Sequence, residues 1–240
     1  MRGVKLLTMA AFCLAVACSE QAGTADGGKN SVAPAATDIS APPADDSDIN
    51  LDLWLERMEV GSRELYSARE AVVAAIGLKE GDVVADIGAG TGLYSLLFAD
   101  GVGPSGFVYA EDIEPLFLDL INQRAADDGI NNITPVLGRE DDVTLPKESV
   151  DVVFIADTYH YFNDREKIMH TIYDALKPGG SLVLVEFDIV PGEPRSEEKS
   201  HVRFGKAAVV AELEFIGFKL AAEPQIEGLK ETYFIRLTKP

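Results

Sequence analysis

Cysteine is almost missing from this chain. Among 240 residues there are two, Cys13 and Cys18, and the remaining residues contain none. That excludes a disulfide framework, a cysteine-ligated zinc site and a cysteine nucleophile from everything beyond residue 18. Histidine is nearly as scarce. His160, His170 and His201 are scattered, and no H-x-x-x-H spacing pairs two of them on one helix face. No metal centre is expected. Positive charge is also short, with 21 Lys and Arg against 40 Asp and Glu and a net charge of −19. Such a surface repels phosphate backbones, so no nucleic-acid partner is expected. The acidity reads as a solvated exterior. No internal repeat is visible.

What is present begins with an address. Arg2 and Lys5 precede an uncharged, mostly apolar run over residues 6–17, the layout of a secretory signal peptide and too short for a comfortable bilayer span. It ends in L-A-V-A-C, which resembles the lipobox of bacterial lipoproteins, although Ala15 stands where leucine is commonest. The resemblance implies that the Cys18 thiol is lipidated and becomes the first residue of the mature chain, anchoring it to a membrane. Ser19, in place of Asp, implies the outer membrane of the bacterial envelope, facing the periplasm. The alternative is an ordinary signal peptide with an incidental cysteine. Residues 19–50 are rich in Ala, Asp, Ser, Gly and Pro and lack apolar periodicity. They read as a disordered acidic tether.

From residue 51 the pattern changes, and the 47% hydrophobic content suffices for a sizeable core. The spacing of apolar residues predicts helices over 51–58 and 67–76, a strand over 83–87 and a helix over 91–99. It then predicts a strand over 107–110, a helix over 115–128, and strands over 133–137 and 150–155. A helix over 164–176, a strand over 181–187, a helix over 202–216 and strands near 218–222 and 232–237 follow. Strand and helix alternate, which predicts an α/β fold: a Rossmann-like, seven-stranded, mostly parallel sheet with helices on both faces. Ligands of such sheets bind at the carboxyl ends of the strands, where the strand order reverses.

The sharpest motif is V-V-A-D-I-G-A-G-T-G over 83–92. Gly88 and Gly90 would let the backbone turn off the strand and approach a ligand; Gly92 would let the next helix pack closely. The helix beginning at Thr91 would aim free N–H groups at the site. A dinucleotide fingerprint needs a small residue at position 93, where Leu93 stands.

The run D-x-G-x-G-x-G from Asp86 to Gly92 resembles the first motif of class I S-adenosylmethionine-dependent methyltransferases. Later segments resemble the family in the same order: Y-A-E-D-I at 109–113, G-R-E-D-D at 138–142, D-V-V-F-I-A-D-T-Y-H-Y-F at 151–162 and L-K-P-G-G-S-L-V-L-V at 176–185. The likeness covers roughly residues 64–240. It implies S-adenosylmethionine as cofactor, held by Asp86, Gly88, Ala89, Gly90 and Gly92. It implies an acid on the ribose hydroxyls, Asp112 by best alignment and Glu111 otherwise, and Glu140 or Asp141 near the adenine amino group. It places Asp157, Thr158, Tyr159 and His160 on the loop flanking the methyl-transfer site, with Asp157 counted among the cofactor-binding residues. His160 is the best candidate for a general base, with Tyr159 beside it; the alternative for both is a structural role. The family's N-P-P-Y-like signature is replaced here by D-T-Y-H, which argues against methylation of nucleic-acid amino groups.

A small-molecule acceptor is therefore expected. Two other readings stand beside it: a non-catalytic module that holds a nucleoside, and a methyltransferase acting on an envelope protein or lipid. The address creates tension, because S-adenosylmethionine is made in the cytoplasm. Either the cofactor reaches the envelope, or activity is lost, or translation starts later. A start at Met58 would delete the first helix.

Overall fold

The computed structural model describes residues 50–189, 192 and 202–240. The expected signal peptide over 1–18 and the tether up to residue 49 lie outside the described residues. Asn50, assigned above to the tether, instead caps the first helix, its side chain accepting from the Leu53 N–H at 3.1 Å.

The elements run α1 (Leu51–Met58), α2 (Glu64–Ser67), α3 (Arg69–Ile76), β1 (Val83–Ile87), α4 (Leu93–Gly101), β2 (Phe107–Asp112), α5 (Pro115–Asp127) and β3 (Ile133–Leu137). They continue through β4 (Val150–Ala156), a single 3-10 turn (Tyr159–Tyr161), α6 (Arg165–Ala175), β5 (Leu176–Phe187), α7 (Lys206–Ile216), β6 (Lys219–Ala222) and β7 (Thr232–Thr238). The strand order is β3-β2-β1-β4-β5-β7-β6. β1 to β5 pair in parallel, and β7 runs antiparallel between β5 and β6. The α/β expectation holds, and the order reverses between β1 and β4.

Alternate residues of the central strands bury opposite faces, as a pleated strand dictates. Ala85, Ile87, Val153, Ile155, Leu182 and Leu184 pack under α6 and α7, against Ile168, Ile172, Val209 and Leu213. Val84, Phe154, Val183 and Val185 face the other way, against Val72 and Ile76 of α3 and Tyr94 and Phe98 of α4. Both faces of the sheet are thus covered by helix.

Several boundaries differ from expectation, each for a local reason. The helix expected over 67–76 breaks at Ala68, leaving α2 and α3. Helix α7 begins at Lys206 with Gly205 as its extended N-cap, four residues later than expected. The strand ladder of β5 reaches back to Leu176, which pairs with Val150, and the K-P-G-G turn forms an irregularity inside it. Gly179 adopts φ +79° there and donates to the Lys239 carbonyl at 2.8 Å. Among the described residues no helix is long and apolar enough to cross a membrane.

Candidate active site

A cavity of about 530 Å³ opens at the carboxyl ends of β1, β2 and β4, beside the reversal of strand order, where α/β sheets bind ligands. The loop after β1 forms its floor. Gly88, Gly90 and Gly92 all have positive φ, at +68°, +52° and +79°. Their roles differ. A Cβ on Gly90 would meet nothing within 4 Å, so the space above it is open to a ligand. A Cβ on Gly88 would lie 2.3 Å from Cγ2 of Thr158, and one on Gly92 would lie 2.7 Å from Cγ1 of Ile121 in α5. Gly88 therefore admits the loop after β4, and it lines the cavity as well. Helix α4 starts at Leu93 with Gly92 as its left-handed N-cap, so Thr91 is not its first residue. The Ala89 N–H, expected to face the cofactor, donates to the Glu111 carbonyl at 2.9 Å, although Ala89 does line the cavity.

Three carboxyl groups share one wall. Asp86, Glu111 and Asp112 are all buried, with 3%, 2% and 7% of their surface exposed, and all line the cavity. Asp86 accepts from the Ser95 hydroxyl at 2.6 Å. Burial, opposed by that bond and reinforced by the charge of Asp112, pushes its pKa up to about 7. Asp112 caps two backbone N–H groups, Gly90 at 2.8 Å through Oδ2 and Glu114 at 2.9 Å through Oδ1. Burial raises its pKa too. Glu111 receives one long contact, from the Gly88 N–H at 3.4 Å, and its Oε1 has no hydrogen-bond partner. Burial first, and the neighbouring Asp112 charge second, hold the Glu111 carboxyl well above the usual range.

The other expected residues divide. Glu140 lines the cavity. Asp141 does not; it is exposed and pairs with Lys167 on α6, which holds its pKa below the ordinary value. Asp157 lines the cavity with φ +52° and pairs with Arg63 at 2.5 Å. Tyr159 and His160, expected at the reacting atoms, stand behind the cavity wall. The Tyr159 ring is 2% exposed and belongs to the core beneath α6, with its buried hydroxyl near Glu212 and Arg165. The His160 side chain is 3% exposed and its Nδ1 lies 2.8 Å from Oε2 of Glu186. The next two residues, Tyr161 and Phe162, reach the cavity instead. A 3-10 turn alternates its side chains differently from a strand or an α-helix, so spacing alone could not tell which of the four would face inward.

Asp157, His160 and Glu186 offer ligand atoms within 4.8 Å of one another, and among the described residues they could hold a divalent ion. Each already has a partner: Arg63 on Asp157, and His160 and the Phe187 N–H on the two oxygens of Glu186.

Several contributors had no signal in the sequence. Glu59, at the end of α1, binds Arg124 of α5 at 2.5 Å and accepts from the Thr91 hydroxyl at 2.8 Å; Arg124 also donates to the Thr91 carbonyl at 2.8 Å. This junction ties the glycine loop to two helices. Trp54 meets Phe117 edge to face at 5.6 Å, and both line the cavity beside Met58, Leu93 and Ile113. The cavity lining thus combines acidic and apolar side chains.

S-adenosylmethionine fits this donor set. The cavity is of ordinary cofactor size, a buried carboxylate oxygen lacks a partner, open space lies over Gly90, and the acidic wall suits a ligand carrying positive charge.

Residues 84–180 match the family described as a methyltransferase domain. The chain is 31% identical over 142 residues to the ubiquinone/menaquinone biosynthesis C-methyltransferase UbiE of Hydrogenovibrio crunogenus, covering 59% of this chain and 55% of that one. It is 29% identical over 143 residues to the same-named protein of Methylococcus capsulatus, covering 59% and 57%. It therefore spans little more than half the length of these curated relatives. In structure it resembles a SAM-dependent methyltransferase from Aquifex aeolicus, with a TM-score of 0.68 at 22% identity, covering 80% of this chain and 100% of that one. Residues 84–180, which build the glycine loop, the acidic wall and the loop after β4, match a methyltransferase domain, and these relatives imply S-adenosylmethionine as the cofactor.

Proposed function

We propose that the chain transfers a methyl group from S-adenosylmethionine to a small, largely apolar acceptor. The observation that carries this reading is the mixed lining of the cavity, in which the glycine loop and buried acids stand with the apolar side chains of Trp54, Phe117 and Phe162. In the reading, Asp112 or Glu111 meets the ribose hydroxyls and Glu140 lies near the adenine. The bound cofactor supplies a methyl group on a sulfonium, already an excellent leaving group, so positioning does most of the work. The apolar wall orients the acceptor and excludes water. The name of the curated relatives supports a quinol-like ring as the acceptor class. A ring carbon that gains a methyl group must lose a proton, and Asp157 is the carboxylate on the cavity side of the loop after β4. The protein mixed with S-adenosylmethionine and a demethylated quinol should release S-adenosylhomocysteine and a methylated ring in equal amounts. Cofactor binding without turnover on quinols, other small phenols or envelope extracts would favour the nucleoside-holding module.

Export and lipidation at Cys18 are proposed on the L-A-V-A-C run and the tether composition. In cells, labelled palmitate should enter the wild type and be absent from Cys18→Ala. Equal labelling of the two would remove the envelope anchor from the account. One acyl chain binds a membrane only marginally, so stable anchoring needs the several chains of a mature lipoprotein.

A further inference from the structure

The acidic wall is unusual for its lack of positive partners. Glu111, 2% exposed, keeps Oε1 unpartnered while facing the acids Asp86 on β1 and Asp112 beside it, with Asp142 farther along the turn after β3. From the helices, Ser95 of α4 and the backbone at Glu114 supply neutral donors only. The nearest cations of the lining are Arg63 and Arg139; Arg63 is paired with Asp157, and Arg139 lies exposed at the rim. Gly138 has no Cβ where Oε1 of Glu111 sits; a Cβ there would lie 1.5 Å from that oxygen, so the carboxyl is packed in place against the backbone. Three carboxylates cannot all remain charged in such a wall without a counter-charge.

We propose that the Asp86–Glu111–Asp112 cluster carries a proton while no cation is bound, and releases it to solvent when S-adenosylmethionine enters. The inference rests on the cofactor assignment above. S-adenosylmethionine carries a sulfonium, an ammonium and a carboxylate, for a net charge of +1. S-adenosylhomocysteine, after the methyl has left, has lost the sulfonium charge and is neutral overall. The cluster therefore binds cofactor in its ionised form and takes the proton back when product replaces it. Charge, rather than the shape of one methyl group, then separates cofactor from product. The raised titration of all three groups accords with this geometry.

The test is calorimetric titration of the full chain with each ligand near pH 7, in two buffers of different ionisation enthalpy. S-adenosylmethionine should release about one proton and S-adenosylhomocysteine close to none. Over the pH range in which the cluster titrates, cofactor affinity should rise about tenfold per pH unit while product affinity stays level. Glu111→Gln keeps an oxygen for the Gly88 N–H and mimics the protonated acid. It should cut the proton release by half or more and narrow the cofactor-to-product preference about tenfold. Asp86→Asn provides a second variant should Glu111→Gln melt early. Equal proton release by both ligands, or full release retained in both variants, would overturn the inference and leave the cofactor assignment standing. Failure of S-adenosylmethionine to bind would overturn both.

Discussion

Asp112→Ala should lower affinity for S-adenosylmethionine by about 100-fold or more while leaving the protein folded. In the sequence the residue looked like a ligand for the ribose. In the structure its two oxygens also hold the backbone N–H groups of Gly90 and Glu114, at 2.8 and 2.9 Å. Hydrogen bonds to a charged group are worth about 1.5–3 kcal/mol each. Removing the carboxylate leaves two backbone donors to find water and frees the turn at Gly90, where the φ of +52° is held by that bond. Loss of one such bond corresponds to about ten- to hundredfold in affinity, and disorder of the loop adds to it. Asp112→Asn should fall between, since one amide oxygen can replace one of the two acceptors. Calorimetry with the cofactor and a melting curve of each variant decide the matter. A folded Asp112→Ala protein with wild-type affinity would show that neither the caps nor the ribose contact matters.

Asp86→Asn should make the unliganded protein more stable at alkaline pH, with no gain at acid pH. The carboxyl of Asp86 is raised by burial from its ordinary 3.8 to about 7. In the unfolded chain it ionises near 4, so between about pH 4 and pH 7 the folded protein binds more protons than the unfolded one. Stability therefore falls as pH rises through that window, and the favourable contribution is complete only below the unfolded value. A rise of that size corresponds to at most about 4 kcal/mol. The asparagine oxygen can still accept from the Ser95 hydroxyl, so the substitution keeps that bond. Denaturant midpoints of both proteins from about pH 4.5 to about pH 9 should converge at the acid end and diverge toward the alkaline end, the variant on top. Superimposable profiles would mean that Asp86 ionises normally when folded. Added S-adenosylmethionine should reverse the ranking at neutral pH, because the ionised wild type gains a cation that the variant holds more weakly.

Much of this architecture is legible in the sequence alone. Short apolar runs such as 83–87 and 150–155 read as buried strands, and their alternation with amphipathic helices left few topologies. Glycine at 88, 90 and 92 carried its own explanation, because positive φ excludes most other residues. The breaks at Ala68 and before Lys206 were invisible, since helix ends depend on which carbonyls and turns the rest of the fold leaves for capping.

At the site the division follows distance along the chain. The residue types and order of the glycine loop, the acids at the end of β2 and the acid after β4 were determined by the sequence, because each needs only its own strand to deliver it to the same sheet edge. Which of those side chains faces the cavity was decided by tertiary structure. Arg63 meets Asp157 across 94 residues and Glu59 meets Arg124 across 65, contacts that no local pattern encodes. Asp141 is drawn out to Lys167, while a 3-10 turn buries Tyr159 and His160 and presents Tyr161. The clustering of three acids away from compensating cations is likewise a property of the folded wall. Burial and proximity set the charge of a carboxyl, and both come into being only when distant strands are packed side by side.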